Sequence, residues 1–208
     1  MIKILSISGS PIPGASTDIL LNRISESIRT ELSGRAEVEV SFVKLNALTF
    51  RPCQACGVDP TPRWCLYDDL AGVFDQLAVC DGLLFGSPVY FDSVSAQAKT
   101  FIDRCNCFRP ADFDEETESR FVRRLKRQRP GAMVLVGGER GWFEGARRVI
   151  AGFFKWVEVI NEGHLMYGSP GTSTRGAAAN DVRILAQADG LGKHLSDVLI
   201  EQISADKK

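Results

Sequence analysis

Ile2-Lys3-Ile4-Leu5-Ser6-Ile7-Ser8 runs directly into Gly9-Ser10-Pro11-Ile12-Pro13-Gly14-Ala15-Ser16-Thr17. The first run is isoleucine-rich and nearly continuous in apolar character, as a strand covered on both faces is. The second is a turn-rich loop. Beyond it Ile19, Leu20, Ile24, Ile28 and Leu32 recur at helical spacing. Ser16 or Thr17 can cap that helix, and Gly34 can stop it.

The same alternation continues down the chain. Residues 38–45 read as a second strand, with Val38, Val40 and Phe42 on one face. Asp68 and Asp69 open a second helix carrying Leu70, Val73, Phe74 and Leu77, their charge favoured by the helix dipole. Residues 82–85 form a third strand, and Ser93 or Ser95 caps a third helix through Ala98, Phe101 and Ile102. A fourth strand (132–136), a fourth helix (143–157), a fifth strand (159–167) and a C-terminal helix (181–203) complete the series. Strand and helix in regular succession predict an α/β fold of three layers around a five-stranded parallel sheet. The chain is expected to be one domain over residues 1–208. It contains a cysteine-bearing loop at 53–65 and a charged insertion at 109–129, helical over 114–128.

With 208 residues, 44% hydrophobic content and a formal net charge of -1, the composition is that of an ordinary globular protein. Nothing in that balance calls for nucleic acid. No apolar run approaches a membrane span, and the first residues enter a strand without an export signal, so a cytoplasmic location is expected.

Two loops carry the chemistry. In the first, Gly9 and Gly14 have Walker A spacing, but Ala15 stands where that motif places its lysine, and G-x-G-x-x-G is absent too. What remains is the hydroxyls of Ser10, Ser16 and Thr17 and the N–H groups of a helix start, which suit a phosphate monoester. The second loop, Gly86-Ser87-Pro88-Val89-Tyr90-Phe91, offers a proline and aromatics that can lie along a flat ring. Taken singly, the first loop reads equally as a capped turn and Tyr90 as core packing. Together, at the carboxyl ends of two strands, they predict a nucleotide-like cofactor, with flavin mononucleotide (FMN) foremost. His164 and His194 read as structural, and Ser10 is not in a G-x-S-x-G elbow, which disfavours an esterase.

Gly9-Ser10-Pro11, the Ser16-Thr17 helix start, and Gly86 to Phe91 followed by Ser93-Val94-Ser95-Ala96-Gln97 and Phe101-Ile102-Asp103-Arg104 resemble the NADPH-dependent FMN reductase and iron–sulfur flavoprotein family. The resemblance covers nearly the whole chain, least securely 109–129. It implies a flavodoxin-like fold holding FMN. Ser10, Ser16 and Thr17 would hold the phosphate. Pro88, Val89, Tyr90 and Phe91 would line the ring, with Gly138, Glu139 and Arg140 bordering it. It also implies a homodimer or homotetramer with the flavin near a subunit boundary.

Members that carry a [4Fe–4S] cluster have a compact four-cysteine run before the second helix. Here Cys53, Cys56 and Cys65 match three of those positions, and Asp59 stands at the other. A carboxylate is a harder ligand than a thiolate. Three readings stay open: a labile cluster with Asp59 or solvent on one iron, a zinc site on the three cysteines and one other ligand, or a metal-free loop whose cysteines pack beside the flavin, a Cys53–Cys56 redox pair being a sub-case of the last. Cys80, Cys105 and Cys107 read as packing residues. In the insertion, Arg120, Arg123, Arg124, Lys126, Arg127 and Arg129 read as a solvated face, or else as an attractor for an NADPH phosphate. Arg140 and Trp142 are better placed for that second role.

The function expected is an FMN-dependent oxidoreductase, reduced by NAD(P)H and passing electrons to a small-molecule or protein acceptor, with Tyr90 a candidate proton donor. The alternative is a non-enzymatic electron carrier between protein partners.

Overall fold

The computed structural model describes residues 1–55, 68–109, 124–125, 127–170 and 175–205. Its sheet is built from β1 (Ile2–Ser8), β2 (Val38–Lys44), β3 (Gly82–Tyr90), β5 (Arg129–Gly138) and β6 (Val159–Ser169), in spatial order β2-β1-β3-β5-β6. Every pair along that path is parallel. The two-residue strand β4 (Ser93–Val94) folds back antiparallel on the end of β3. The five-stranded parallel sheet expected from the sequence is thus present, in the flavodoxin-like order that reverses direction between β1 and β3.

Helices α1 (Ser16–Leu32) and α5 (Val182–Ala205) cover one face, where Ile24, Ile28, Leu195 and Leu199 pack on Ile4, Leu84 and Val134. Helices α2 (Leu70–Val79), α3 (Ala96–Arg104) and α4 (Glu144–Trp156) cover the other, over Leu5, Ile7, Leu83 and Phe85. That second core is rich in rings: Phe85 stacks on Phe101 with centroids 5.9 Å apart, and Phe74 meets Phe108 edge-on at 5.3 Å. Among the described residues no helix is long and apolar enough to cross a membrane.

Two sequence expectations are corrected. The third strand does not stop at Phe85 but runs on to Tyr90, so most of the supposed loop is strand. Gly86, Ser87 and Pro88 pair with Val134, Leu135 and Val136 of β5, whereas β1 ends opposite Gly86. Beyond Gly86 the strand has one free edge, where proline is tolerated. Second, Arg129 is not on a solvated face: it opens β5 and is 2% exposed. Its guanidinium donates to the carbonyls of Leu77 and Cys80 at the end of α2, where a cation is favoured. The expected helix over 114–128 lies mostly outside the described residues, and Arg124, Leu125, Arg127 and Gln128 are not helical. Arg127 is instead ion-paired with Asp81 (2.6 Å).

Candidate functional site

The crevice at the strand-order reversal is walled by the loop after β1. Its stem is nailed down by hydrogen bonds that cross between elements. Gly9 N–H donates to the Gly86 carbonyl (2.7 Å), and the Ser95 hydroxyl donates to the Gly9 carbonyl (2.6 Å). Ser95 also caps α3, accepting the Ala98 N–H. A side chain at position 9 would bring its Cβ within 2.7 Å of the Ala98 Cβ, so only glycine fits between loop and helix. Thr17 turns its methyl onto Gly86, where a Cβ would sit 2.8 Å away.

The start of α1 differs from the capping expected. The N-cap is Ala15, which offers no side-chain bond, not Ser16 or Thr17. The reason is that the Ser16 hydroxyl accepts the Ala178 N–H (3.2 Å) from the turn after β6. Ser10 is occupied within its own turn, donating to the Ile12 carbonyl (3.2 Å) and accepting the Ile12 N–H (3.3 Å). The first N–H of the helix to reach a carbonyl of its own helix is that of Ile19, on Ala15 (3.1 Å). The preceding N–H groups therefore point out of the helix end. Ser16, Thr17 and Asp18 are all buried around them. A long helix with a buried, uncapped first turn is an electropositive seat suited to an anion. The chemistry of this loop fits a phosphate monoester.

Two residues of this corner went unread in the sequence. Asp18, in the first turn of α1, accepts from the Gly14 N–H (2.9 Å) and the Ser8 hydroxyl (2.5 Å). Lys44, the last residue of β2, places its ammonium 2.6 Å from Asp18 Oδ2 and 2.8 Å from the Ile12 carbonyl. An acid in a first helical turn is a visible signal; Lys44 has none, because only its register opposite Ser8 brings it here.

The second wall is the hairpin joining β3 to β4. Tyr90 pairs with Ser93, leaving Phe91 and Asp92 as the two turn residues. Both have left-handed backbones, φ 52° and 56°, the conformation of a tight hairpin normally occupied by Asn-Gly. Holding a phenylalanine there costs about 1–2 kcal/mol. The hairpin is anchored through Asp92, whose carboxylate accepts the Gly145 N–H at the start of α4 (3.0 Å). Pro88 is buried and Val89 half-buried, Tyr90 is 47% exposed, and Phe91 stands wholly in solvent. The predicted ring-lining residues thus divide by exposure, with Tyr90 and Phe91 presented to solvent and Pro88 buried in β3.

Gly138 ends β5, and Glu139 and Arg140 follow it in an exposed turn closed by the Gly141 N–H on the Gly138 carbonyl (2.8 Å). Trp142 beyond them is also exposed. The turn after β6 reaches back to the first loop, where a Cβ on Gly176 would lie 3.1 Å from the Gly14 carbonyl. All these segments lie at the carboxyl end of the sheet. A cavity lined by Arg109, Gln128, Lys155 and Asn161 lies instead at the amino end of β6.

Of the cysteine loop, Cys53 is half-buried with a free thiol. Cys56, Asp59 and Cys65 lie outside the described residues. The base of that loop is closed by Arg104, whose fully buried guanidinium donates to the Arg51 carbonyl (2.8 Å) on one stem and to Asp68 (2.7 and 3.2 Å) on the other. Cys80 and Cys105 are buried, and burial pushes the Cys80 thiol above its ordinary range. Their packing role agrees with the sequence reading.

Comparison with known proteins follows the same outline. A family model described as NADPH-dependent FMN reductase matches residues 2–169. An iron–sulfur flavoprotein of Methanocaldococcus jannaschii is 30% identical over 204 residues, covering 95% of this chain and 97% of that one. Among solved structures, a flavone reductase superposes with a TM-score of 0.66 at 19% identity, over 95% of this chain and 63% of that longer one. A flavodoxin from Archaea superposes with a TM-score of 0.56 at 12% identity, over 95% and 99%. At such identities the two structures speak for the fold alone.

Proposed function

Because the chain belongs to the NADPH-dependent FMN reductase family, whose members are flavin-dependent oxidoreductases, we propose that it binds FMN in the crevice between β1 and β3 and uses NAD(P)H as electron donor. Bound there, the flavin would supply the redox chemistry by which electrons pass from the nicotinamide to a small-molecule or protein acceptor. The observation that carries the assignment is that a buried, uncapped helix start and a strained aromatic hairpin follow the adjacent strands β1 and β3, where the strand order reverses.

The protein's own part is positioning. The first-turn N–H groups of α1, with the hydroxyls of Ser16 and Thr17, take the phosphate, and Ser10 joins them by turning its hydroxyl from the Ile12 carbonyl. Pro88, Val89, Tyr90 and Phe91 would line the ring, and Gly138, Glu139 and Arg140 would border it. Tyr90 holds an exposed phenol at the ring's edge, where it can pass a proton. Phe91 and Trp142, both largely in solvent, support a homo-oligomer in which a second copy covers this end of the sheet. A cytoplasmic setting completes the reading.

Replacing Ser16 and Thr17 together by alanine is expected to weaken FMN retention about tenfold while leaving the fold intact. Equilibrium dialysis measures it, and unchanged retention sinks the phosphate assignment.

The test of the whole reading is the visible spectrum of protein purified without air, before and after NADPH. Flavin bands that bleach support the reductase. The second reading is an electron carrier between proteins. It predicts bands that persist until a chemical reductant is added. Broad absorbance beneath the flavin bands would show a cluster, for which Cys53, Cys56 and Cys65 are the candidate ligands with Asp59 or solvent on one iron; its absence leaves zinc or a metal-free loop. A protein that takes up no FMN overturns the assignment.

A further inference from the structure

The phosphate seat carries a built-in contradiction. Asp18 lies in the first turn of α1, 5% exposed, with its carboxylate turned back on the Gly14 N–H and the Ser8 hydroxyl. A phosphate on the N–H groups of that turn would share one helix end with this second anion. Two like charges so placed, away from water, repel strongly. The loop supplies no cation of its own: Ile12 and Pro13 are uncharged, and Ala15 stands at the Walker lysine position.

Lys44 resolves the contradiction from another strand. Its ammonium lies 2.7 and 2.6 Å from the two carboxylate oxygens of Asp18 and 2.8 Å from the Ile12 carbonyl. Those contacts use its donors, so it is not free to reach out for a ligand. The side chain is 16% exposed, which keeps the pair from being screened. Arg175, the other cation of this corner, is exposed on the turn that meets Gly14 through Gly176.

We propose that Lys44 is a specificity residue acting through Asp18. It cancels the carboxylate at the α1 start, and so lets the crevice prefer the phosphorylated flavin over riboflavin. The inference rests on the FMN reading above and goes beyond it by naming what makes the phosphate welcome.

The experiment titrates the full chain, stripped of flavin, with FMN and separately with riboflavin, following flavin fluorescence. Wild type is expected to bind FMN more tightly. Lys44→Met leaves Asp18 uncompensated and is expected to weaken FMN about ten- to a hundredfold with riboflavin affinity unchanged, which also shows that the variant is folded. Adding Asp18→Asn to Lys44→Met removes both charges, and is expected to restore FMN to within about threefold of wild type. The proposal is overturned if Lys44→Met weakens both flavins alike, or neither, or if the double variant stays as weak as the single one. A wild type that binds riboflavin as well as FMN overturns the phosphate-loop reading itself, a result distinct from any of these.

Discussion

Asp68→Ala is expected to destabilise the protein by about 3–5 kcal/mol, the loss typical of breaking a buried ion pair by removing one side of it. Arg104 is fully buried and Asp68 is 17% exposed, so water cannot take over the lost contact. The carboxylate also accepts the Leu70 N–H (3.1 Å) at the start of α2. Removing it therefore loosens a helix start and both stems of the cysteine loop together. Urea unfolding reads the loss as a fall in midpoint. Pairing Arg104→Met with Asp68→Leu should recover much of it, since well-packed apolar residues can replace a buried ion pair. A loss below about 1 kcal/mol for Asp68→Ala, the range of exposed pairs, would show that the stems do not depend on this bridge.

The same pair makes a pH prediction. Burial alone would raise the Asp68 pKa, but the Arg104 hydrogen bonds, with those from the Leu70 and Arg51 N–H groups, outweigh it and hold the carboxyl below its ordinary 3.8. A group depressed on folding contributes stability above its unfolded value and loses it as pH falls through the folded one. Wild type should therefore lose stability on acidification below 3.8, with a steeper slope there than Asp68→Ala.

Gly145→Ala is the second large expected effect. A Cβ at this position would lie 2.0 Å from the Asp92 carbonyl oxygen, so the α4 start and the hairpin tip must part. Overpacking of this kind costs about 1–3 kcal/mol. The larger consequence falls on the site, because the Gly145 N–H anchors Asp92 and thereby holds Tyr90 and Phe91 in place. FMN affinity is expected to drop about tenfold or more. Gly152→Ala supplies the control. It lies on the same helix with open space at its Cβ, and should stabilise by about 0.5–1 kcal/mol without touching FMN affinity. Equal FMN affinity in the two variants would detach the hairpin from the site.

The layered α/β architecture was legible in the chain because it is written in local periodicity: apolar runs for buried strands, helical spacing for α1 through α5, turn residues between them. The two loops were legible for the same reason, since each is a short stretch beside its own strand. Their family resemblance, confirmed over residues 2–169, rests on those contiguous stretches.

The residues that went unread are those whose partners are distant in sequence. Lys44 meets Asp18 because β1 and β2 pair in the register that sets Ser8 opposite Lys44. Arg104 joins Arg51 to Asp68 across the far ends of a loop. Arg129, read as one of a run of surface arginines, is buried because the end of α2 presents carbonyls to it. Phe91, read as loop, forms with Asp92 a strained hairpin turn because β3 continues along β5 past the end of β1 and pairs with β4. Strand and helix follow from the spacing of a residue's neighbours along the chain. Which charges meet, and which turns are forced left-handed, follows from sheet register and the packing of helices on it, and no local pattern encodes either.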